Sequence, residues 1–204
     1  PVYAAAGTIT IHHTDTGTVV EAISATSGQV SGVGTATVTI DPTGTLTSDT
    51  DYHVTVTAGA FQDAAGNPYA GITNPTSLNF ATADTTAPQL LSTTPIDDAT
   101  GVAVDMNLVF TFDNPVYPAA GTITIHHTDN GTVVETIAAT SGQVTGSGTA
   151  TITVNPTADL ETSIEYYVNV TPGAFQDAAG NNYSGISDPT SLNFTTADPG
   201  APQL

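Results

Sequence analysis

Apolar and polar residues alternate along the chain in short runs divided by turn residues. Over 106–112, Met106, Leu108, Phe110 and Phe112 fall on one face, the period of two that a strand presents. Ile123 and Ile125 keep that phase over 121–127, as do Ile152 and Val154 over 149–154. In 164–171, Tyr166, Val168 and Val170 alternate with Glu165, Tyr167 and Asn169, and Leu192 and Phe194 share the inner face of 190–196. With 88–92 and 132–137, these runs make seven expected strands. Asp129-Asn130-Gly131, between the third and fourth, is a hairpin signal. No window shows a 3.6-residue period, so helix is nearly excluded. Seven short strands in about 110 residues predict an all-β, two-sheet sandwich of immunoglobulin type.

The pattern repeats. Residues 1–90 recur without insertion or deletion as 115–204, an offset of 114. Pro1 to His13 returns as Pro115 to His127, and Phe61 to Asn67 as Phe175 to Asn181. A fixed period marks a stack of like units, which supplies length and a repeated surface more readily than one catalytic pocket. The expected organisation is an incomplete repeat over 1–84, a complete one over 85–198, and the start of a further one over 199–204. The first unit lacks the counterpart of 85–114, so its sandwich is incomplete at the N-terminal strands. Two readings stand: a window from a longer array, or a fibre in which a neighbouring molecule supplies the missing strands by strand addition. No initiator Met, signal peptide or anchor is recognisable, so those parts are expected elsewhere.

Composition narrows the function classes. Hydrophobic residues are 39%, enough for a core in each unit, and 40 Thr, 19 Gly and 13 Pro favour strands and turns. No apolar run approaches the ~20 residues that span a bilayer, so no membrane insertion is expected in this segment. There is no Lys or Arg against 19 Asp and Glu, a formal charge of −19. Nucleic acid and anionic membrane surfaces therefore find no cation to meet. Each carboxylate must be solvated, hydrogen-bonded or bound to a cation from solution. All-oxygen ligand sets suit Ca²⁺, and a salt-rich habitat that screens the repulsion is the competing explanation. Cysteine is absent, so disulfides and thiol chemistry are unavailable.

Six ordered motifs carry a resemblance. They are Asp84 to Pro88 (Asp-Thr-Thr-Ala-Pro), the turn from Pro95 to Val102, and Phe110 to Val116 (Phe-Thr-Phe-Asp-Asn-Pro-Val). Gly121 to Ile125, Leu160 through Tyr166-Tyr167-Val168, and Ala174 to Asn181 continue the order. Together they resemble the bacterial immunoglobulin-like repeat of surface-layer proteins and long repetitive adhesins. The resemblance implies tandem immunoglobulin-like sandwiches and an extracellular or cell-surface scaffold.

If strand directions alternate as in that order, the loops sort by end. One end of the complete unit gathers Asp84 from the linker, Asp113 and Asn114 from one loop, and Asp177 and Asn181 from another. Asp63 is the first unit's equivalent of Asp177. Asp15, Asp49 and Asp51 belong to the opposite end of the first unit and are expected at the same junction. A second such site is expected around Asp198, with Asp97, Asp98 or Asp129. Three or more carboxylates with no protein cation make a Ca²⁺ site, since Ca²⁺ takes ~6–8 oxygens. The alternative is that Asp84 and Asp177 accept backbone hydrogen bonds of their own turns.

His12-His13 and His126-His127 point to opposite faces of a strand, so neither pair chelates alone; Asp129 or His53 would have to join. Asn130, Asn169, Asn182 and Asn193 open Asn-X-Ser/Thr triplets, which this much Thr produces by chance. No thiol, amine base or nucleophile elbow is present, so no enzyme is expected. The leading expectation is a non-catalytic structural repeat, a stalk, filament or surface spacer whose partners are neighbouring repeats, stiffened by Ca²⁺ at domain junctions. The alternative is an adhesive module that recognises glycan or a surface through Thr-rich strand faces.

Overall fold

A computed structural model describes residues 1–198 and Gly200; apart from Gly200, the further repeat expected over 199–204 lies outside the described residues. Strands and turns make up the described residues, which contain no helix. The chain divides into two compact units, Pro1–Asp84 and Thr85–Leu204. In unit 1 the strands are β1 (Tyr3–Ala4), β2 (Thr8–His13), β3 (Val19–Ser24), β4 (Val30–Ser31), β5 (Thr39–Ile40), β6 (Asp51–Val56), β7 (Phe61–Gln62) and β8 (Asn79–Ala81). In unit 2 they are β9 (Leu90–Thr94), β10 (Ala99–Val102), β11 (Leu108–Pro118), β12 (Thr122–His127) and β13 (Val133–Ala138). They continue as β14 (Val144–Thr145), β15 (Thr149–Val154), β16 (Glu165–Val170), β17 (Phe175–Gln176) and β18 (Asn193–Thr196).

Unit 2 is a closed two-sheet sandwich. One sheet runs β10-β18-β16-β12-β13; the other runs β14-β15-β11-β17, with β9 also on β11. The alternating apolar residues of both sheets meet between them: Phe110, Phe112, Ile123, Ile125, Ile152, Tyr166, Val168 and Phe194 are all buried. Each side chain of this size contributes about 1.5–3 kcal/mol when removed from water. The seven expected strands form, with β10, β14 and β17 as short additions.

Two hydrogen-bonded corners fix the sandwich type. The Tyr166 Oη accepts a hydrogen bond from the Glu161 N–H at 2.9 Å, and the Tyr52 Oη accepts one from the Thr47 N–H at 2.9 Å. A tyrosine at the start of a strand that bonds back to the preceding loop is a hallmark of immunoglobulin-like sandwiches. Thr196 and Thr82 reinforce the corner, each donating its hydroxyl to the loop carbonyl of Glu161 (2.7 Å) or Thr47 (2.6 Å).

The loop expected between the second and third strands is shorter than its sequence suggests. Strand β11 continues through Asp113 and Asn114 to Pro118, with its register shifting between Thr111 and Val116. The bulge lets one strand pair with β9 in its first half, with β17 at its end, and with β15 on both sides of the shift. Asp113 keeps the bulge bonded: its N–H donates to the Gln89 carbonyl at 3.0 Å, and its Oδ1 accepts the Gln89 N–H at 2.8 Å.

Unit 1 repeats four of the five strands of the first sheet, as β3-β2-β6-β8. Its second sheet is reduced to two separate pairs, β1-β7 and β4-β5. The equivalents of β9, β10 and the first half of β11 are missing from it. Without them the stretch equivalent to β15 keeps only Thr39–Ile40 as strand. The first sandwich is therefore incomplete, as the repeat offset implies.

Candidate functional site

The carboxylates expected to bind cations fall mostly in turns, where their oxygens face their own backbone. In the turn after β17, Asp177 Oδ1 accepts the N–H groups of Ala179 (2.9 Å) and Asn181 (2.8 Å), and Oδ2 accepts the Asn181 side-chain amide (2.8 Å). Asp63 makes the same three bonds with Ala65 and Asn67. The Asp-Ala-Ala-Gly-Asn run thus folds as a turn around its first side chain. Burial pushes the Asp177 carboxyl up, but the bonds from Asn181 and Ala179 outweigh it and hold it below the usual carboxylate range. For Asp63 the Asn67 side-chain bond is the largest influence, and its carboxyl is also lowered.

The remaining candidates are exposed or tied locally. Asp113 and Asn114 lie on the bulge of β11, and the Asp177–Asn181 turn follows β17, which pairs with the end of the same strand through Tyr117 and Gln176. Asp97 Oδ1 accepts the Asn193 N–H at 3.0 Å, and the neighbouring Asp98 holds a φ of 59° while its N–H donates to the Asn193 carbonyl at 2.9 Å. These bonds pin the β9–β10 turn to the start of β18. Asp15 Oδ1 accepts the Thr16 N–H at 2.8 Å, and Asp198 Oδ1 the Gly200 N–H at 2.8 Å. Asp84 closes unit 1.

Within unit 1, Asp15, Asp49 and Asp51 do share one open hollow of about 610 Å³, together with His13 and Thr50. Among the described residues, no group of three or more His, Asp or Glu side chains converges as metal ligands do. The donor type suits Ca²⁺, whereas the geometry within each unit leaves the carboxylates apart.

The histidines sit on the strand faces. His12 lies opposite His53 across β2 and β6, and the rings stack at 4.7 Å with an interplanar angle of 3°. Its Nδ1 faces the Gly17 carbonyl at 3.3 Å and its Nε2 the Thr55 hydroxyl at 3.0 Å. In unit 2 the partner is Tyr167, stacked on His126 at 4.5 Å. An aromatic stack with either partner explains both positions without a metal.

A polar cluster that periodicity does not reveal recurs in both units. The Glu135 carboxylate accepts bonds from the Gln143 amide (2.9 Å) and from the Thr157 N–H (3.0 Å) and hydroxyl (2.6 Å). Glu21, Gln29 and Thr43 repeat it. Burial raises the Glu135 carboxyl, but the Thr157 and Gln143 bonds prevail and lower it. At Glu21 the Gln29 and Thr43 bonds lead, with the same result. The cluster ties strand β3 or β13 to the loop ahead of β6 or β16, in a chain that has no Lys or Arg to do so.

The model of the bacterial Ig-like domain family matches residues 2–82 and again 84–196. No curated protein matches the chain. Among solved structures, CopC from Methylosinus trichosporium OB3b is 16% identical, with a TM-score of 0.39 over 57% of this chain and 99% of that one. The BSP domain of a biofilm associated protein is 17% identical with a TM-score of 0.26; it covers 98% of this chain, which spans 26% of that structure. The Ig1-2 module of the Drosophila receptor protein tyrosine phosphatase DLAR is 11% identical, with a TM-score of 0.23 over 93% of this chain and 83% of that one.

Proposed function

We propose that this chain, which belongs to the bacterial Ig-like domain family, is a non-catalytic spacer segment of an extracellular or cell-surface array. The observation that carries the reading is the tandem itself: two family matches follow each other directly, and residues 1–90 recur in similar sequence as 115–204. Repetition of one module builds reach from units that each carry their own core. The polar groups of unit 2 are engaged in holding its sandwich closed, in corners, turns and the Glu135 cluster. Absence of Lys and Arg suits exposure to trypsin-like proteases.

Stretching the tethered chain in a single-molecule instrument tests this reading. Unit 2 should unfold in one cooperative event that releases about 3.5 Å per residue. A glycan array should show no saturable binding. Gradual extension without a discrete event, or saturable binding of one glycan class to the intact chain, would replace the spacer by the adhesive reading.

The finer part of the proposal is a cation. Nineteen acidic residues without a basic partner repel one another, and Ca²⁺ from solution would offset that repulsion at Asp84, Asp113 and Asp198 and at the Asp15, Asp49 and Asp51 hollow. Millimolar Ca²⁺ should raise the melting temperature at low ionic strength and a chelator reverse it. Equal melting temperatures in both, at low salt, would remove calcium while leaving the spacer reading in place.

A further inference from the structure

We infer that the Glu135 cluster and its copy at Glu21 carry out a covalent reaction within the folded chain: Thr157 forms an ester with Gln143, and Thr43 with Gln29, with loss of ammonia. The inference rests on the geometry of the two clusters, independently of the spacer reading. Gln143 and Thr157 flank the β14–β15 hairpin. Val144 pairs with Val154, and the Asn155 N–H donates to the Gln143 carbonyl at 2.9 Å. Gln143 and Asn155 therefore face each other at the open end of the hairpin, and Thr157 lies just beyond. Glu135 reaches this point from β13, a strand of the other sheet. The Thr157 N–H fixes its carboxylate, at 3.0 Å from Oε2 and 3.2 Å from Oε1.

The Gln143 amide nitrogen has more oxygens around it than hydrogens to give them. Nε2 lies 2.9 Å from Glu135 Oε1, 3.0 Å from the Asn155 carbonyl and 3.0 Å from Thr157 Oγ1. A primary amide has two N–H bonds, so one of these oxygens faces it with no hydrogen between them. The carboxylate and the carbonyl are acceptors only. Thr157 has its own hydrogen, which its hydroxyl donates to Glu135 Oε1 at 2.6 Å. Thr157 Oγ1 is thus the oxygen whose lone pair is set against the amide. Unit 1 repeats the crowding: Gln29 Nε2 lies 2.7 Å from Glu21 Oε1, 3.1 Å from the Asp41 carbonyl and 3.0 Å from Thr43 Oγ1. There the Thr43 hydroxyl donates to Glu21 Oε1 at 2.8 Å.

A hydroxyl bonded to a base and held against a carboxamide is an activated nucleophile beside its electrophile. Glu135 takes the Thr157 hydroxyl proton as Oγ1 bonds to the Gln143 Cδ. The Cδ–Nε2 bond then breaks, and the same carboxylate hands the proton to the departing nitrogen. An amide and a hydroxyl become an ester and ammonia, with no oxidant and no further reactant. The Glu135 and Glu21 carboxyls are held below the usual range, so both are ionised and able to take a proton at neutral pH. Thr157 and Thr43 are exposed, which gives ammonia a path to solvent. The product is a covalent clasp across the open end of the hairpin.

Mass spectrometry of the intact 204-residue chain, purified folded and held for days at neutral pH, tests this. The mass should fall below that of the sequence by one ammonia per unit, and a chain kept in denaturant throughout should retain the full mass. Cleavage after acidic residues leaves 136–159 in one piece, and its fragmentation should give no ions from breaks between 143 and 157, because the ester holds both ends. Thr157→Val and Glu135→Gln should each keep the ammonia of unit 2 while unit 1 still loses its own, and Thr157→Ser should restore the loss. Glu135→Gln leaves the Thr157 hydroxyl in place, so it separates the base from the nucleophile. A full sequence mass in the folded chain, an ammonia loss mapped outside the two Gln–Thr pairs, or a unit 2 loss that survives Thr157→Val would overturn the proposal.

Discussion

Phe112 lies edge-on to Tyr183, with ring centroids 5.1 Å apart and planes at 83°. The same Phe112 meets Phe175 at 5.7 Å, so one residue of β11 closes the aromatic corner of unit 2. Phe112→Ala should cost about 3–5 kcal/mol, the range for emptying a packed phenylalanine site. Denaturant unfolding followed by tyrosine fluorescence should show that loss in the unit 2 transition. A loss below about 1 kcal/mol would mean the corner is not packed as described.

The tyrosine corner makes a second, sharper case, because one oxygen is at stake. Tyr166→Phe leaves the ring in the core and removes the acceptor of the Glu161 N–H. The expected cost is about 1–3 kcal/mol, the penalty for orphaning a donor in a partly buried site. Tyr52→Phe removes the equivalent bond to Thr47 in unit 1. Thermal melts of both variants check whether each corner supports its own unit.

Asp177 links turn geometry to pH. Its carboxyl is lowered in the folded state, so its contribution is present above the ordinary aspartate range and is lost as pH falls through the folded value. Asp177→Ala should destabilise by about 1 kcal/mol near neutral pH, and the gap to the parent chain should narrow toward pH ~3. At the alkaline end the sign reverses. Burial pushes the Tyr183 hydroxyl up to about 12, so stability present below the ordinary tyrosine range falls as pH climbs through that value. Melting curves across pH, with Tyr183→Phe as the second variant, check both limbs.

Gly146 holds a φ of 95°, and a Cβ there would collide with the Thr151 carbonyl oxygen. Gly146→Ala should therefore cost about 1–3 kcal/mol, combining left-handed strain with a contact that the β14–β15 turn cannot relieve. Gly142 has open space around the same position, and Gly142→Ala should change the melting temperature little. Equal effects of the two substitutions would contradict the turn geometry.

The periodic runs were legible because both sheets bury one face, so alternation survives in β11, β12, β15 and β16. The Asp-Asn-Pro run at 113–115 reads as a loop by residue type, but a bulge carries it within β11, and a bulge leaves no periodic signal. Strands of two residues such as β14 and β17 are too short for any period to show. The tyrosine corner had a usable signal, since a tyrosine on an inner face needs a partner for its hydroxyl. The His12–His53 stack and the Glu135 cluster had none: both join residues that only strand register brings together. The Asp-Ala-Ala-Gly-Asn run supported a turn or a cation on residue type alone, and turn bonds form at both Asp63 and Asp177.

Two similar sequences share the β3-β2-β6-β8 and β13-β12-β16-β18 sheet, but only the second unit closes its sandwich. Amide hydrogen exchange on the intact chain reads this directly, by comparing 78–82 with 192–196 and 36–40 with 150–154. The two stretches in unit 1 should exchange at least about tenfold faster than their equivalents in unit 2, because edge and half-formed strands open locally at little cost. Matching protection in the two units would contradict the difference in burial between Leu78 and Phe80 and their equivalents Leu192 and Phe194.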